Sequence, residues 1–152
     1  MKFLKIEKER GDVPRRVESK LRVRYQETDQ MKVVYHANYL VWFEIGRTDF
    51  IRELGISYSN LEQMGLLLPV LDVQCKYIQS AKYEDELTVE TTVSEVKGAR
   101  LTFQYQVIRQ KDGQLLAKGM TQHVFATPDL KPINLRSKMP ELYRMLMESM
   151  ES

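Results

Sequence analysis

Asp29 and His36 are the residues whose types and spacing could do chemistry in this chain. They stand seven positions apart in YQETDQMKVVYHANY, residues 25–39, directly ahead of an apolar run, LVWFEIGRTDFIREL. If that run is a helix, its first N–H groups have no intrahelical acceptor, and the helix dipole adds partial positive charge at that end. Such donors suit an oxyanion, the charge that develops when a carbonyl is attacked. A carboxylate beside them makes a minimal hydrolytic centre that needs no serine or cysteine nucleophile. Asp29 could attack the carbonyl itself or activate a water, and the residues leave both routes open. The same positions have plainer uses. An aspartate here can cap a helix or shape a turn, and His36 can be a cap or a core imidazole. Glu27 reads as a solvated strand-end residue, and Glu44 with Arg47, at i and i+3, reads as a structural ion pair.

The elements that must position these residues are legible in outline. LRVRY (21–25) alternates as a first strand, and the long helix runs from about Ala37 to Leu54, with Gly55 as its stop signal. SYSNLEQMGL adds a short helical turn. Strands follow at 68–80, 86–96 and 100–110, the last with Leu101, Phe103, Tyr105 and Val107 on one face. Lys111-Asp112-Gly113 turns the chain into a returning strand over 114–128. A final amphipathic helix carries Met139, Leu142, Tyr143, Leu146 and Met150 on one stripe. This order predicts an α+β domain in which an antiparallel sheet curls around one long helix. Apolar residues occupy most of that helix's circumference, more than one sheet covers, so a second copy of the protein is expected to cover the rest. Gly46 in mid-helix marks a close approach by a neighbouring backbone.

Composition narrows the function. The chain has 152 residues, 43% of them hydrophobic, and a net charge of +2. That is one domain with a substantial core and no basic bias toward nucleic acid. Residues 1–18 read as a polar arm, with a short strand at KFLKI, and residues 19–152 as the single domain. No stretch is long and apolar enough to insert in a membrane or to serve as a signal peptide. The lone cysteine, Cys75, reads as a small strand residue and fits a reducing cytoplasm. His36 and His123 share no ligand-like spacing, so neither a metal nor another cofactor is expected, and His123 reads as structural.

The stretch YQETDQMKVVYHANYLVWFEIGRTDFIRELG resembles the signature of the 4-hydroxybenzoyl-CoA thioesterase group of the hotdog fold, which includes the Tol-Pal-associated bacterial acyl-CoA thioesterases. Asp29, Val34, Tyr35, His36, Ala37, Asn38 and Tyr39 match position by position. YIQSAKYEDELTVETTV and GQLLAKGMTQHVFATPDLKPINL resemble the later segments, so the likeness spans residues 20–136. It implies a hotdog fold and hydrolysis of an acyl-CoA thioester at the interface of a homodimer, which pairs again into a tetramer. It also implies a catalytic Asp29, as nucleophile or general base, with backbone N–H groups near Tyr35 and His36 polarising the carbonyl and a side-chain role open to His36. Lys76, Lys82, Lys97, Arg100 and Lys118 are the basic residues that could meet coenzyme A phosphates. The chain departs from the pattern after Asp29, where Gln30, Met31 and Lys32 replace the usual glycine-bearing turn. Non-glycine residues resist positive φ, so this turn is expected to differ or to carry strain. Acyl carrier protein is the alternative carrier. A hotdog hydratase or dehydratase would need an aspartate-x-asparagine-x-x-histidine spacing or a histidine in a proline-glycine context, and Asp29 and His36 stand seven apart with no asparagine between them. A non-catalytic acyl-CoA-binding protein is the further alternative, which an altered Asp29 would have supported.

Overall fold

In RVESKLR the side chains of Val17 and Ser19 alternate inward, which makes this stretch the first strand. The computed structural model describes residues 13–150, and β1 runs Arg16–Arg22. This corrects the expected strand at 21–25 and takes its first residues from the stretch read as an arm. The inward polar residue concealed the pattern: Ser19 is buried because its hydroxyl donates to Asp49 Oδ2 at 2.6 Å. The chain leaves β1 through a 3-10 turn at Tyr25–Glu27. KFLKI lies outside the described residues.

Helix α1 spans Asn38–Glu53, followed by the short α2 at Tyr58–Gln63, whose N-cap Ser57 accepts the Asn60 N–H. Strands β2 (Val70–Tyr77), β3 (Glu86–Lys97), β4 (Arg100–Arg109) and β5 (Leu115–Val124) come next. All neighbours pair antiparallel in the order β1-β3-β4-β5-β2. The expected C-terminal helix is broken at Met139 into α3 (Leu135–Lys138) and α4 (Pro140–Ser149). Pro140 accounts for the break, because it disfavours helical backbone at the residue before it while fitting the first turn of the next helix.

The sheet wraps one face of α1. Phe43 stacks on Tyr105 with centroids 4.4 Å apart, and Phe50 meets Phe103 edge-on at 5.8 Å. Phe43 lies directly over Gly119, where any Cβ would collide with its ring. Gly46 makes the second close approach, to the Thr91 side chain on β3, where backbone contact was expected. The opposite face of α1 is uncovered in the protomer. Leu40, Val41 and Ile45 are 38%, 47% and 39% exposed. Among the described residues β2 pairs only with β5, which leaves its outer edge open, and Val70, Leu71, Val73, Tyr77 and Ile78 are exposed on or just after it.

Candidate active site

A small antiparallel ladder pairs residues 27–29 with 33–35, the stretch that leads into α1, and carries Asp29 at its turn end. Thr28 bridges Val34, the Asp29 N–H donates to the Val33 carbonyl at 2.9 Å, and the Tyr35 N–H donates to the Glu27 carbonyl at 2.8 Å. The turn between them closes with the Lys32 N–H on the Asp29 carbonyl at 3.0 Å. Lys32 sits at φ 65°, so the turn keeps the left-handed position that the family pattern fills with glycine. A lysine there carries backbone strain on the order of 1 kcal/mol. No ion pair joins Lys32 to Asp29 among the described residues.

The Asp29 carboxylate is partly buried and only half engaged. Oδ1 accepts the Met31 N–H at 2.8 Å, while Oδ2 has no protein partner among the described residues. The returning arm of the ladder, Val33 to Tyr35, leads into α1. Tyr35 and His36 are both exposed, with ring centroids 4.5 Å apart. The Tyr35 N–H is already consumed by Glu27, which removes it as an oxyanion donor. The N–H groups of His36 and Ala37 have no acceptor among the described residues. Among the described residues the His36 imidazole makes only ring contacts, with Tyr35 and, edge-on at 6.2 Å, with Tyr77.

Two residues that sequence reasoning did not place in the site hold this arrangement together. Glu27 is buried, not solvated. Its Oε1 accepts the Arg24 N–H at 2.8 Å, and its Oε2 accepts the Trp42 indole N–H at 2.9 Å. The Arg24 Nε lies 3.5 Å away and offsets part of the buried charge. The Glu27 carbonyl also accepts Asn38 Nδ2 at 2.8 Å. Tyr77, on β2, donates its hydroxyl to the His36 carbonyl at 2.9 Å. Burial of that hydroxyl, with the Cys75 thiol beside it, pushes Tyr77 up to about 12, so it remains a donor at neutral pH. Tyr39 packs edge-on against Tyr77 at 5.1 Å and accepts the Ala81 N–H.

The remaining expectations sort by place. Arg47 does not pair with Glu44 among the described residues. Glu44 is exposed, while the Arg47 charge is felt inside by Tyr105 and His123. His123 is buried, with Nδ1 against the Leu68 carbonyl at 3.2 Å and Nε2 against Thr121 Oγ1 at 2.8 Å. Of the five basic candidates, Lys82 bridges Val33 beside the Asp29 turn. Lys76 pairs with Lys118 across β2 and β5, and Lys97 with Arg100 at the β3–β4 turn. Among the described residues, no group of three or more His, Cys, Asp or Glu side chains could hold a metal ion.

A five-stranded antiparallel sheet curled about one long helix is the architecture of the hotdog-fold thioester hydrolases. The chain belongs to the thioesterase-like superfamily, whose family model matches residues 23–141. It is 38% identical over 122 residues to YneP of Bacillus subtilis, provisionally described as an acyl-CoA thioesterase, covering 80% of this chain and 88% of the relative. It is 43% identical over 90 residues to acyl-CoA thioesterase YbgC of Haemophilus influenzae, covering 59% of this chain and 66% of that protein. Among solved structures, a DHNA-CoA thioesterase from Staphylococcus aureus superposes with a TM-score of 0.83 at 34% identity, over 88% of this chain and 89% of that one.

Proposed function

We propose that this enzyme hydrolyses acyl-CoA to a free carboxylic acid and coenzyme A, with Asp29 as nucleophile or general base. The observation that carries the reading is the half-free Asp29 carboxylate on a ladder whose returning arm leads directly into two consecutive N–H groups, those of His36 and Ala37, with no acceptor among the described residues. Those donors stabilise the oxyanion as the thioester carbonyl is attacked. In the nucleophilic route an Asp29 oxygen bonds to the acyl carbon and the C–S bond breaks. The resulting anhydride is then hydrolysed, which restores the carboxylate. In the general-base route Asp29 takes a proton from water, the hydroxide adds to the acyl carbon, and the tetrahedral intermediate expels the thiolate. Either way the thiolate collects a proton and no net oxidation or reduction occurs. The reading calls on no metal ion.

The site is read as shared in a homodimer. Among the described residues the outer α1 face is exposed and the β2 edge, on the strand that carries Tyr77, is open, and edge-to-edge joining of two β2 strands would satisfy their unpaired backbone groups. Pairing of dimers into tetramers follows the same family pattern. The reaction belongs in the cytoplasm, where a lone thiol such as Cys75 stays reduced.

The test is a hydrolysis screen of the purified protein. Short, long, branched and aromatic acyl-CoAs are compared with acyl carrier protein thioesters, with released thiol as the readout. Turnover of a set of acyl-CoAs at rates well above those of the carrier-protein esters is expected. Hydrolysis confined to the carrier-protein esters would transfer the assignment to that carrier, and no thiol release from any of them would overturn it.

A further inference from the structure

The two peptide units that lead into α1 share one state, in which each carbonyl is occupied and each N–H is open among the described residues. The Tyr35 carbonyl accepts the Asn38 N–H at 2.9 Å, and the N–H of the same unit, on His36, has no acceptor among the described residues. The His36 carbonyl accepts the Tyr77 hydroxyl at 2.9 Å and the Tyr39 N–H at 3.3 Å, and the N–H of that unit, on Ala37, is likewise open. Each unit is also held from outside the helix. Glu27 grips the approach to the first, because its carbonyl takes both the Tyr35 N–H and Asn38 Nδ2. Tyr77 grips the second from β2.

We propose that Glu27 and Tyr77 form a two-sided clamp that aims the His36 and Ala37 N–H groups at the developing oxyanion, acting as positioning residues for hydrolysis. The inference rests on the reading of Asp29 and the start of α1 as the reacting centre. Its physical basis has two parts. Donors fixed in advance stabilise the transition state without reorganising, so losing their aim lowers turnover more than substrate binding. A carbonyl that accepts a hydrogen bond also polarises its own peptide unit and strengthens the N–H at the other end.

Glu27 suits the task because it is anchored at both ends. Its side chain is tied to Trp42 in the second turn of α1, and its main chain to the residues just before that helix. Asp29 lies two positions beyond Glu27, and the His36 N–H one position beyond Tyr35, so the clamp sets the separation of carboxylate and donors. Both carboxylate oxygens of Glu27 accept N–H groups. A glutamine cannot reproduce that, since its NH2 would face one of the two donors.

The test compares Tyr77→Phe, Glu27→Gln and Asp29→Asn with the wild type on the best acyl-CoA. The readouts are kcat, KM and the inhibition constant of a thioether analogue that lacks the carbonyl oxygen. Tyr77→Phe removes only a hydroxyl from a half-exposed ring, so it decides the question if Glu27→Gln does not fold. The expected result is a fall in kcat of about 10-fold in each clamp variant, a fraction of what losing a whole oxyanion donor costs. KM and the thioether inhibition constant should stay unchanged. Wild-type kcat in Tyr77→Phe, alongside an inactive Asp29→Asn, would overturn the clamp and leave the reading of Asp29 intact. A weaker inhibition constant with unchanged kcat would make these residues substrate contacts and would also overturn it. An active Asp29→Asn would remove the reacting centre and the clamp together.

Discussion

At the scale of single residues, the strain at Lys32 and the burial of His123 give separate tests. Lys32 holds φ 65° to keep the Asp29 turn closed. Lys32→Gly should therefore stabilise the fold by about 0.5–1 kcal/mol, because glycine tolerates that conformation but is freer when unfolded. Urea unfolding gives the value, and a loss of stability would show that the lysine is unstrained. His123 is pushed down to about 4 from an ordinary 6.5, chiefly by burial and further by the Arg47 charge. Between those values the unfolded chain binds a proton that the folded chain refuses, so stability rises with pH across the window and is complete above about 6.5. His123→Asn should flatten the slope of unfolding free energy between about pH 4 and 6.5. Parallel profiles for variant and wild type would contradict that. The turn after Asp29 and the start of α1 were legible from residue type and order, since both signals lie within a dozen residues. Glu27 and Tyr77 were not. Glu27 is buried through Trp42, fifteen positions on, and Tyr77 reaches His36 from forty-one positions away. Such contacts leave no periodicity to read.

At the scale of elements, α1 is the part that positions everything else, and its seating depends on Gly46. A Cβ there would run into the Thr91 side chain on β3, which is fully buried, and press on Val89 at 3.2 Å. Gly46→Ala should cost about 1–3 kcal/mol from overpacking, against a helix-propensity gain of under about 1 kcal/mol. Adding Thr91→Ala should recover most of the loss, because it clears the space and removes a buried hydroxyl with no hydrogen-bond partner among the described residues. Thermal unfolding of the single and double variants measures this, and a stable single variant would mean that the helix has room to move. The glycine was readable as a close approach, but its partner was not, because strand register fixes it. The first strand was misplaced for a related reason. Its inward Ser19 is paid for by Asp49 on α1, which alternation alone does not reveal.

At the scale of the whole molecule, the described residues leave apolar side chains exposed on the outer face of α1 and along β2. That helix was readable as apolar on too many sides for one sheet, and Leu40, Val41 and Ile45 are the residues left uncovered. The dimer reading makes a joint prediction of mass and activity. Sedimentation at micromolar concentration should show a dimer or a multiple of it, and specific activity should fall as dilution dissociates it. A compact monomer with full activity would contradict the shared site.

The most direct test of the central claim is the turnover of Asp29→Asn. This change keeps the shape of the side chain and the hydrogen bond from the Met31 N–H, and removes the carboxylate charge. With the fold verified by unchanged thermal unfolding, kcat on the best acyl-CoA should fall by about 100-fold or more. Turnover within a few-fold of wild type would show that the chemistry resides elsewhere.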